Sequence, residues 1–585
     1  MPEENRPSSF SKSLYFGHIP EQMVIPYPRL AAGEREQVRE LCAAFRELAR
    51  AEIDSQAIDE GASIPPSVLA GLRRLGLFGL SIDREYGGLG LSVTGYARAM
   101  QEIAGTDGAV AITLAAHESI GCRGLMLFGS DEQKLRYLPR LASGELIAAF
   151  ALTEPGSGSD AASIQMRAEA QPDGSFILSG QKNWITNGGI ADLFTVLAQT
   201  SVEKDGQKKD RITAFLVERG MGVRSGPEEP KLGVRGASTT ALHFDDVRVP
   251  RENVLGQVGS GFKVAMGVLN NGRLGLAAGA VGAAKQVIRL ALAHASSRRQ
   301  FGRPICEFGL IKDKLGRMMM ETFAAESMVY LTTGLIDRGV ADYSVESAAC
   351  KIYGSEMLWR VVNEAAQIAA GLGYMKDAPY ERLLRDARVN FVFEGTSEIL
   401  RCYIALTGMQ GPGERLAQLA DFIRWPLKGY GLAIDFVVDK LKTQYYGGER
   451  LDHAHPFLKK EAVLFEDWVP ELAKNVEKAL RKHGKMISEM QYVQRRVADI
   501  TIDLYMMIAC IARTTSSLIE RGPEAEREAK LCRAVCGRAG ARIKRNIRLF
   551  DDNDDELIKA IATDAIDAAA YPFDVVVDGA AESAG

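Results

Sequence analysis

The order of textures along this chain restricts its fold more than any other feature: helical pattern, then strand pattern, then helical pattern again. From about Ala31 to Ser143 apolar residues recur three and four apart, as in REQVRELCAAFRELARAEI, with breaks such as EYGGLGLS between segments. Around Leu146 the texture changes. SFILSGQKNWIT, ADLFTVLAQT, RITAFLVERG and TALHFDDVRVP are short, β-branched or aromatic, and separated by polar turns. They read as antiparallel strands of a sandwich or barrel, with EKDGQKKD as a solvated hairpin tip. After Pro250 the helical pattern returns over Gly261–Ser296, Gly309–Arg338, Ser344–Ala370, Tyr380–Asn390 and Thr396–Met409. GPGERL at Gly411 reads as a hinge before a second helical block that runs to about Ala570. A doubly wound sheet needs strands alternating with helices, so this order excludes it. GSGSDA (Gly156 to Ala161) therefore matches the dinucleotide fingerprint in letters only, since it follows LTEP and precedes a strand-like segment where the fingerprint needs a helix. GQVGSGFK lacks the Gly-Lys-Ser/Thr ending of a P-loop.

Composition excludes other classes. The 585 residues are 46% hydrophobic and 25% charged with net charge −4, which rules out a fibre or a disordered chain and leaves room for several domains. That charge argues against a nucleic-acid partner. No run of 18 uninterrupted apolar residues suggests a membrane span. The eight cysteines are scattered without a C-x-x-C pair, which fits a reduced compartment, and Cys532 and Cys536 read as small buried hydrophobes. His453 and His455 read as a surface loop, so no metal is expected. The N-terminus has neither an apolar secretory core nor an Arg-rich transit pattern. A bacterial cytoplasm is thus favoured over a mitochondrial matrix.

Four segments combine small, aromatic and hydroxyl residues in a way that core packing does not demand: FALTEPGSGSD (Phe150–Asp160), NWITNGG (Asn183–Gly189), SRRQFGRPI (Ser297–Ile305) and NFVFEGTSEILR (Asn390–Arg401). Glu394 is the most informative residue. It follows Phe391, Val392 and Phe393 and precedes Gly395 and Thr396, where a helix begins. Two readings stand side by side: a desolvated carboxylate whose pKa rises toward that of a general base, or an acid that only complements a helix N-terminus. Thr396 can cap that helix, leaving N–H groups suited to a phosphate.

Together the four segments, in this order, resemble the acyl-CoA dehydrogenase family over roughly residues 35 to 410. LNNGR (Leu269–Arg273), FGLIKDKLGRM, LRCYIALTGMQ and the helical block after Gly411 resemble its very-long-chain subgroup. The resemblance implies an α+β fold: an N-terminal helical domain (1–145), a middle antiparallel β-domain (146–256), a C-terminal four-helix domain (257–411) and an appended all-α domain (412–585). It implies FAD as cofactor, held by Phe150, Leu152, Thr153, Ser159, Trp184 and Thr186, and by Thr396 and Glu398 toward its phosphate and adenosine portion. Arg298 and Phe301 resemble the family's pair that reaches the FAD of a neighbouring subunit. Gln367 and Gly371 lie where the family has Gln-x-x-Gly-Gly, with Ala370 replacing the first glycine. Ser159, Asn270, Arg273 and Gly395 would meet acyl-CoA, and Asn270, where the commoner pattern has Asp, fits the subgroup.

By the same resemblance Glu394 would take the α-proton of the thioester while the β-hydrogen leaves as hydride. Some members carry the base immediately before the arginine, a position held here by Gly272, which cannot act as one. The implied partners are acyl-CoA, an electron-transferring flavoprotein and a second copy of the chain as a homodimer. An acyl-CoA oxidase, or a non-catalytic assembly scaffold on the same fold, are the alternative readings. In YGLAIDFVVDKLKTQYY, Ile434, Val437, Val438, Leu441 and Tyr445 share a helical face opposite Lys440, with Trp425, Lys428 and Lys442 beside it. That stripe within residues 412–460 reads either as packing or as peripheral membrane contact, on the inner membrane if the cell is bacterial.

Overall fold

The computed structural model describes residues 9–204, 207–424, 449–571 and 573. Its N-terminal helices are α1 (Phe10–Leu14), α2 (Ala32–Glu52), α3 (Ser55–Gly61), α4 (Pro66–Arg74), α5 (Val93–Ala104) and α6 (Gly108–Ala115). A π-helical stretch, Ala116–Cys122, leads into α7 (Arg123–Phe128) and α8 (Asp131–Ala142). The stripe read in α2 is the face it buries, through Val38, Cys42, Phe45 and Leu48. Helix α8 starts on a reciprocal cap: the Gln133 N–H donates to Ser130 Oγ at 3.2 Å, and the Ser130 N–H to Gln133 Oε1 at 3.0 Å.

Eight strands follow: β1 (Ala148–Ala151), β2 (Arg167–Ala170), β3 (Phe176–Thr186), β4 (Leu193–Lys204), β5 (Gln207–Glu218), β6 (Arg224–Glu228), β7 (Thr239–Val249) and β8 (Val254–Leu255). They form one sheet in the order β6-β7-β3-β2-β4-β5-β8, with β1 on β4. The expected all-antiparallel pattern needs correction, because β1 and β2 both run parallel to β4. Neither reaches β4 through a hairpin; each is separated from it in sequence by other strands, and such a connection permits parallel pairing. β4 and β5 pair from Leu193 with Glu218 to Lys204 with Gln207, so the described residues of EKDGQKKD are paired strand ends, and its two central residues lie outside the described ones.

The third layer is α9 (Gly261–Ser297), the small hairpin β9–β10 (Arg299–Gln300, Arg303–Pro304), α10 (Gly309–Asp337), α11 (Ser344–Ala369), α12 (Gly371–Tyr374), α13 (Tyr380–Arg388) and α14 (Ser397–Arg424). Among the described residues α9 is the one helix long and apolar enough to cross a membrane. It is a core helix here, packed against α5, α10 and α11. Its glycines allow that packing: a Cβ at Gly282 would lie 1.9 Å from the Gln101 carbonyl oxygen of α5.

The terminal block contributes α15 (Lys459–His483), α16 (Gln491–Arg521), α17 (Glu526–Arg548) and α18 (Asp555–Ala568). Most of α16 between Val497 and Leu518 is buried. It joins the same hydrophobic core as α9–α11 and adds polar ties: Tyr505 Oη lies 2.6 Å from Thr332 Oγ1, and Arg513 donates to Glu326 at 3.0 Å. Thr501 Oγ1 donates to Tyr15 Oη at 2.8 Å. The hinge expected at Gly411 is absent, because α14 runs unbroken through Pro412 to Arg424. The glycines there serve close packing: a Cβ at Gly408 would meet the Tyr15 ring at 2.1 Å, and one at Gly411 the Phe16 ring at 2.8 Å. The stripe of Ile434, Val437, Val438, Leu441 and Tyr445, with Trp425, Lys428, Lys440 and Lys442, lies outside the described residues. His453 Nδ1 lies 2.8 Å from Glu21 Oε2, and no group of three or more His, Cys, Asp or Glu side chains placed to hold a metal occurs among the described residues. Cys532 and Cys536 are buried with their sulfurs 4.0 Å apart.

Candidate active site

β1 ends at Ala151 and delivers Phe150, buried, then Leu152 and Thr153, half-buried, toward the helical layer. A buried ion pair anchors this corner. Lys182, wholly enclosed, donates to Glu154 Oε1 at 2.7 Å and to the Leu152 carbonyl at 3.0 Å, while the Asn183 N–H donates to the Thr153 carbonyl at 2.9 Å. Glu154 also accepts from the Gln165 and Met166 N–H groups at 2.5 and 3.1 Å. Burial draws the Lys182 ammonium down to about 8, against the opposing pull of Glu154. Two of the four segments are thereby fixed to one another.

The pairing of β3 with β7 shifts register between Lys182 and Ile185, and Trp184 sits in that irregularity with φ +54°. The residue is 62% exposed, an aromatic side chain held largely out to solvent by backbone in the left-handed region. Thr186 is half-buried beside it, and Ser159 lies exposed in the loop after β1.

Glu394 stands in the turn before α14, and both it and Gly395 have positive φ, +58° and +92°. Arg273 of α9 donates from Nε to the Glu394 carbonyl at 3.3 Å and from a terminal nitrogen to Asn270 Oδ1 at 2.9 Å. Its guanidinium also lies 5.3 Å from the centre of the Tyr403 ring. Lys351 of α11 donates to the Gly395 carbonyl at 2.6 Å. The carboxylate itself is unpaired, and its Oε2 is shielded from solvent without a partner. Burial raises the Glu394 carboxyl to about 7, with the nearby charges of Arg273 and Lys351 opposing the rise. A Cβ at Gly272 would lie 2.8 Å from that Oε2, so the glycine makes the space the carboxylate occupies. Thr396 Oγ1 accepts from the Ile399 N–H at 3.3 Å, as a cap, and Ser397 Oγ is buried without a partner; Glu398 is exposed.

The remaining sequence-derived residues are elsewhere. Ser297 ends α9 about 24 residues past Arg273, or about 36 Å along the helix. Beyond it Arg298 is exposed, and Phe301, with φ +49°, is 94% exposed at the tip of the β9–β10 hairpin. α9 and α11 run parallel: Lys351 and Arg273 grip the same turn, and a Cβ at Gly354 would approach Ala277 at 3.3 Å. Gln367 and Gly371, both exposed, therefore lie at the Arg298 end. One chain assembles Glu394 with Arg273, Asn270, Gly395 and Thr396, and does not bring Arg298, Phe301, Gln367 or Gly371 to them.

Sequence reasoning missed Lys351, the Lys182–Glu154 pair and the π-helical segment, whose Ile120 also borders Gly272. In that segment His117, held neutral by burial, accepts from the Ala148 N–H at 2.9 Å and fixes β1. Glu118, raised by burial to about 7, accepts from Ser81 Oγ at 2.5 Å. The readable signal was a lone charge inside an apolar run, as in AACKIYGS, because an unpaired buried charge is too costly to keep without a task.

Residues 35–145, 149–247 and 259–408 match the N-terminal, middle and C-terminal domains of acyl-CoA dehydrogenases, and 456–571 match the C-terminal domain of ACAD9/ACADV. The chain is 43% identical over 551 residues to the human mitochondrial very long-chain specific acyl-CoA dehydrogenase, covering 93% of itself and 84% of that protein. The chain belongs to the acyl-CoA dehydrogenase family. An acyl-CoA dehydrogenase from Bacillus anthracis, solved as a complex with FAD, superposes with TM-score 0.77 at 31% identity over 94% of each chain. A chain of the electron transferring flavoprotein structure from Acidaminococcus fermentans superposes with TM-score 0.60 at 34% identity, covering 65% of this chain and 98% of that one.

As an acyl-CoA dehydrogenase it is an FAD-dependent oxidoreductase of acyl-CoA. Its own residues fit that cofactor. Trp184 offers an exposed aromatic side chain, α14 offers a capped N-terminus with an orphaned Ser397 hydroxyl, and Glu394 keeps an unpartnered carboxylate.

Proposed function

We propose that this acyl-CoA dehydrogenase converts long-chain acyl-CoA to trans-2-enoyl-CoA in fatty acid β-oxidation, with electrons passing to an electron-transferring flavoprotein. The observation that carries the chemistry is the half-buried Glu394, whose carboxylate has a solvent-shielded, unpartnered Oε2 and a pKa raised toward neutrality. An α-proton of a thioester is a weak acid. A base must therefore be poised near the working pH, and the carbonyl oxygen must meet positioned donors as charge develops there. Glu394 holds the abstracted proton at its carboxylate, and its own backbone N–H, which bonds nothing among the described residues, is available to that oxygen. FAD supplies the hydride acceptor when bound.

Phe150, Leu152, Thr153, Trp184 and Thr186 would flank the flavin, and Thr396, Ser397 and Glu398 would approach its phosphate and adenosine portion. Ser159, Asn270, Arg273 and Gly395 would border acyl-CoA. The separation of Arg298, Phe301, Gln367 and Gly371 from the base supports a homodimer in which each chain completes its partner's cofactor site. The preference for long chains is supported by the very-long-chain relatives, whose likeness extends through the terminal helices. The compartment would be the mitochondrial matrix in a eukaryote and the cytoplasm in a bacterium.

The test is anaerobic bleaching of the bound flavin by saturated acyl-CoA thioesters from about four to about twenty carbons. The expected result is fastest bleaching with long chains, followed by rapid reoxidation on adding electron-transferring flavoprotein and slow reoxidation by oxygen. Rapid peroxide formation with acyl-CoA alone would assign an oxidase instead. No bleaching by any thioester would remove the reading altogether.

A further inference from the structure

Lys351 sits in the middle of α11 between Cys350 and Ile352, and its side chain is completely buried. A buried ammonium is costly unless something holds it. Here its bond is to the Gly395 carbonyl at 2.6 Å, while Arg273 holds the preceding carbonyl, that of Glu394, at 3.3 Å. Two cations from two helices thus grip successive carbonyls of one dipeptide, and both residues of that dipeptide occupy the left-handed region. A glutamate does not stay there by its own preference, so the turn needs restraint from outside. Neither cation bonds the carboxylate, whose Oε2 stays unpartnered.

We propose that Lys351 is a positioning residue for the base: by holding the Gly395 carbonyl it fixes the Glu394 turn and keeps a positive charge close to the carboxylate without pairing with it. The proposal rests on the reading of Glu394 as the base. A direct ion pair would occupy the lone pairs that must receive the α-proton and would depress their basicity. A cation bonded one peptide away tempers the effect of burial and leaves those lone pairs free.

The groups facing the carboxylate come from several elements. Arg273 of α9 is braced by Asn270 and by Tyr403 of α14. Tyr96 of α5 interacts with Glu394 and with Glu118 of the π-helical segment. Glu398 of α14 and Glu356 of α11 also act electrostatically on Lys351. Arg273 and Lys351 are the cations that oppose the rise of the Glu394 carboxyl toward 7, and burial draws Lys351 itself down to about 8.

The experiment uses the FAD-loaded enzyme and its Lys351→Gln and Lys351→Arg variants. Bound flavin is measured first, then anaerobic flavin bleaching by palmitoyl-CoA from about pH 5 to about pH 9. Lys351→Gln is expected to move the acid limb of the bleaching rate upward by about one pH unit, because a neighbouring positive charge is lost. Lys351→Arg keeps the charge and should keep the limb in place. An FAD-loaded Gln variant whose limb coincides with the parent's, with the rate lowered equally at every pH, would overturn the proposal. If the Gln variant fails to retain FAD, the Arg variant decides: a parental limb supports the proposal and a displaced one overturns it. A parent enzyme that palmitoyl-CoA does not bleach would instead defeat the reading of Glu394, whatever Lys351 does.

Discussion

Replacing Glu394 with glutamine is expected to leave FAD bound and to slow flavin reduction by acyl-CoA by about 1,000-fold, the scale of losing a general base. The substitution is nearly isosteric, keeps the turn between Arg273 and Lys351, and removes only the acceptor for the α-proton. Stopped-flow bleaching of the oxidised flavin reads the effect directly, and near-normal bleaching would dismiss Glu394 as the base. A second consequence concerns stability. The Glu394 carboxyl is raised by burial from 4.5 to about 7 in the folded chain. Below about pH 4.5 both states hold the proton and there is no penalty. As pH rises toward 7 the unfolded chain releases it first, so folding becomes progressively costlier, and above 7 that cost is constant. Glutamine does not titrate. Without substrate, the variant should therefore melt higher than the parent at pH 8, with the gap closing toward pH 5. Base strength and fold stability draw on the same buried carboxylate in opposite directions.

The second large effect is expected at Lys182. Lys182→Met leaves Glu154 buried among apolar residues without its cation, a change that typically costs about 3–5 kcal/mol. The Leu152 carbonyl loses a donor in the same step, so the corner carrying Thr153 and Trp184 loosens and bound FAD should fall along with the melting temperature. The double variant Lys182→Met, Glu154→Leu removes both charges and should recover much of the stability without recovering the flavin. Thermal melting and flavin content together check it. A single variant that melts like the parent would mean the pair is neutral in the fold.

Glu394 stood out in the chain because part of its setting is local: the turn and the Thr396 cap lie within two positions of it, whereas the enclosure of its Oε2 by Gly272 is written far away in sequence. The helical and strand layers were legible for a similar reason, since periodicities of 3.6 and 2 are written into neighbouring residues. What escaped depends on contacts far apart in sequence. Gly408 and Gly411 look like flexibility points until Tyr15 and Phe16 are seen against them. The parallel run of β1 along β4 depends on a connection through two other strands. Lys351 has an evident task only once α11 lies beside the turn after Phe393. Trp184 was selected for its type, whereas the register shift that turns it outward is a property of β3 against β7.

The shared core bears on how this longer chain relates to its shorter relatives. Phe10 near the beginning and Thr332 in the middle both meet Tyr505 near the end, Tyr15 bonds Thr501, and Arg513 lies over Phe323. A protein shortened after Arg424 would not be a compact dehydrogenase relieved of an accessory. It would expose to water the flanks of α10 and α14 that the terminal helices cover, and contiguous exposed apolar surface promotes association. Such a truncated chain is expected to form aggregates or higher oligomers in light scattering. A lineage that lost these helices would need another covering surface, or new polar residues along that flank, in the same step.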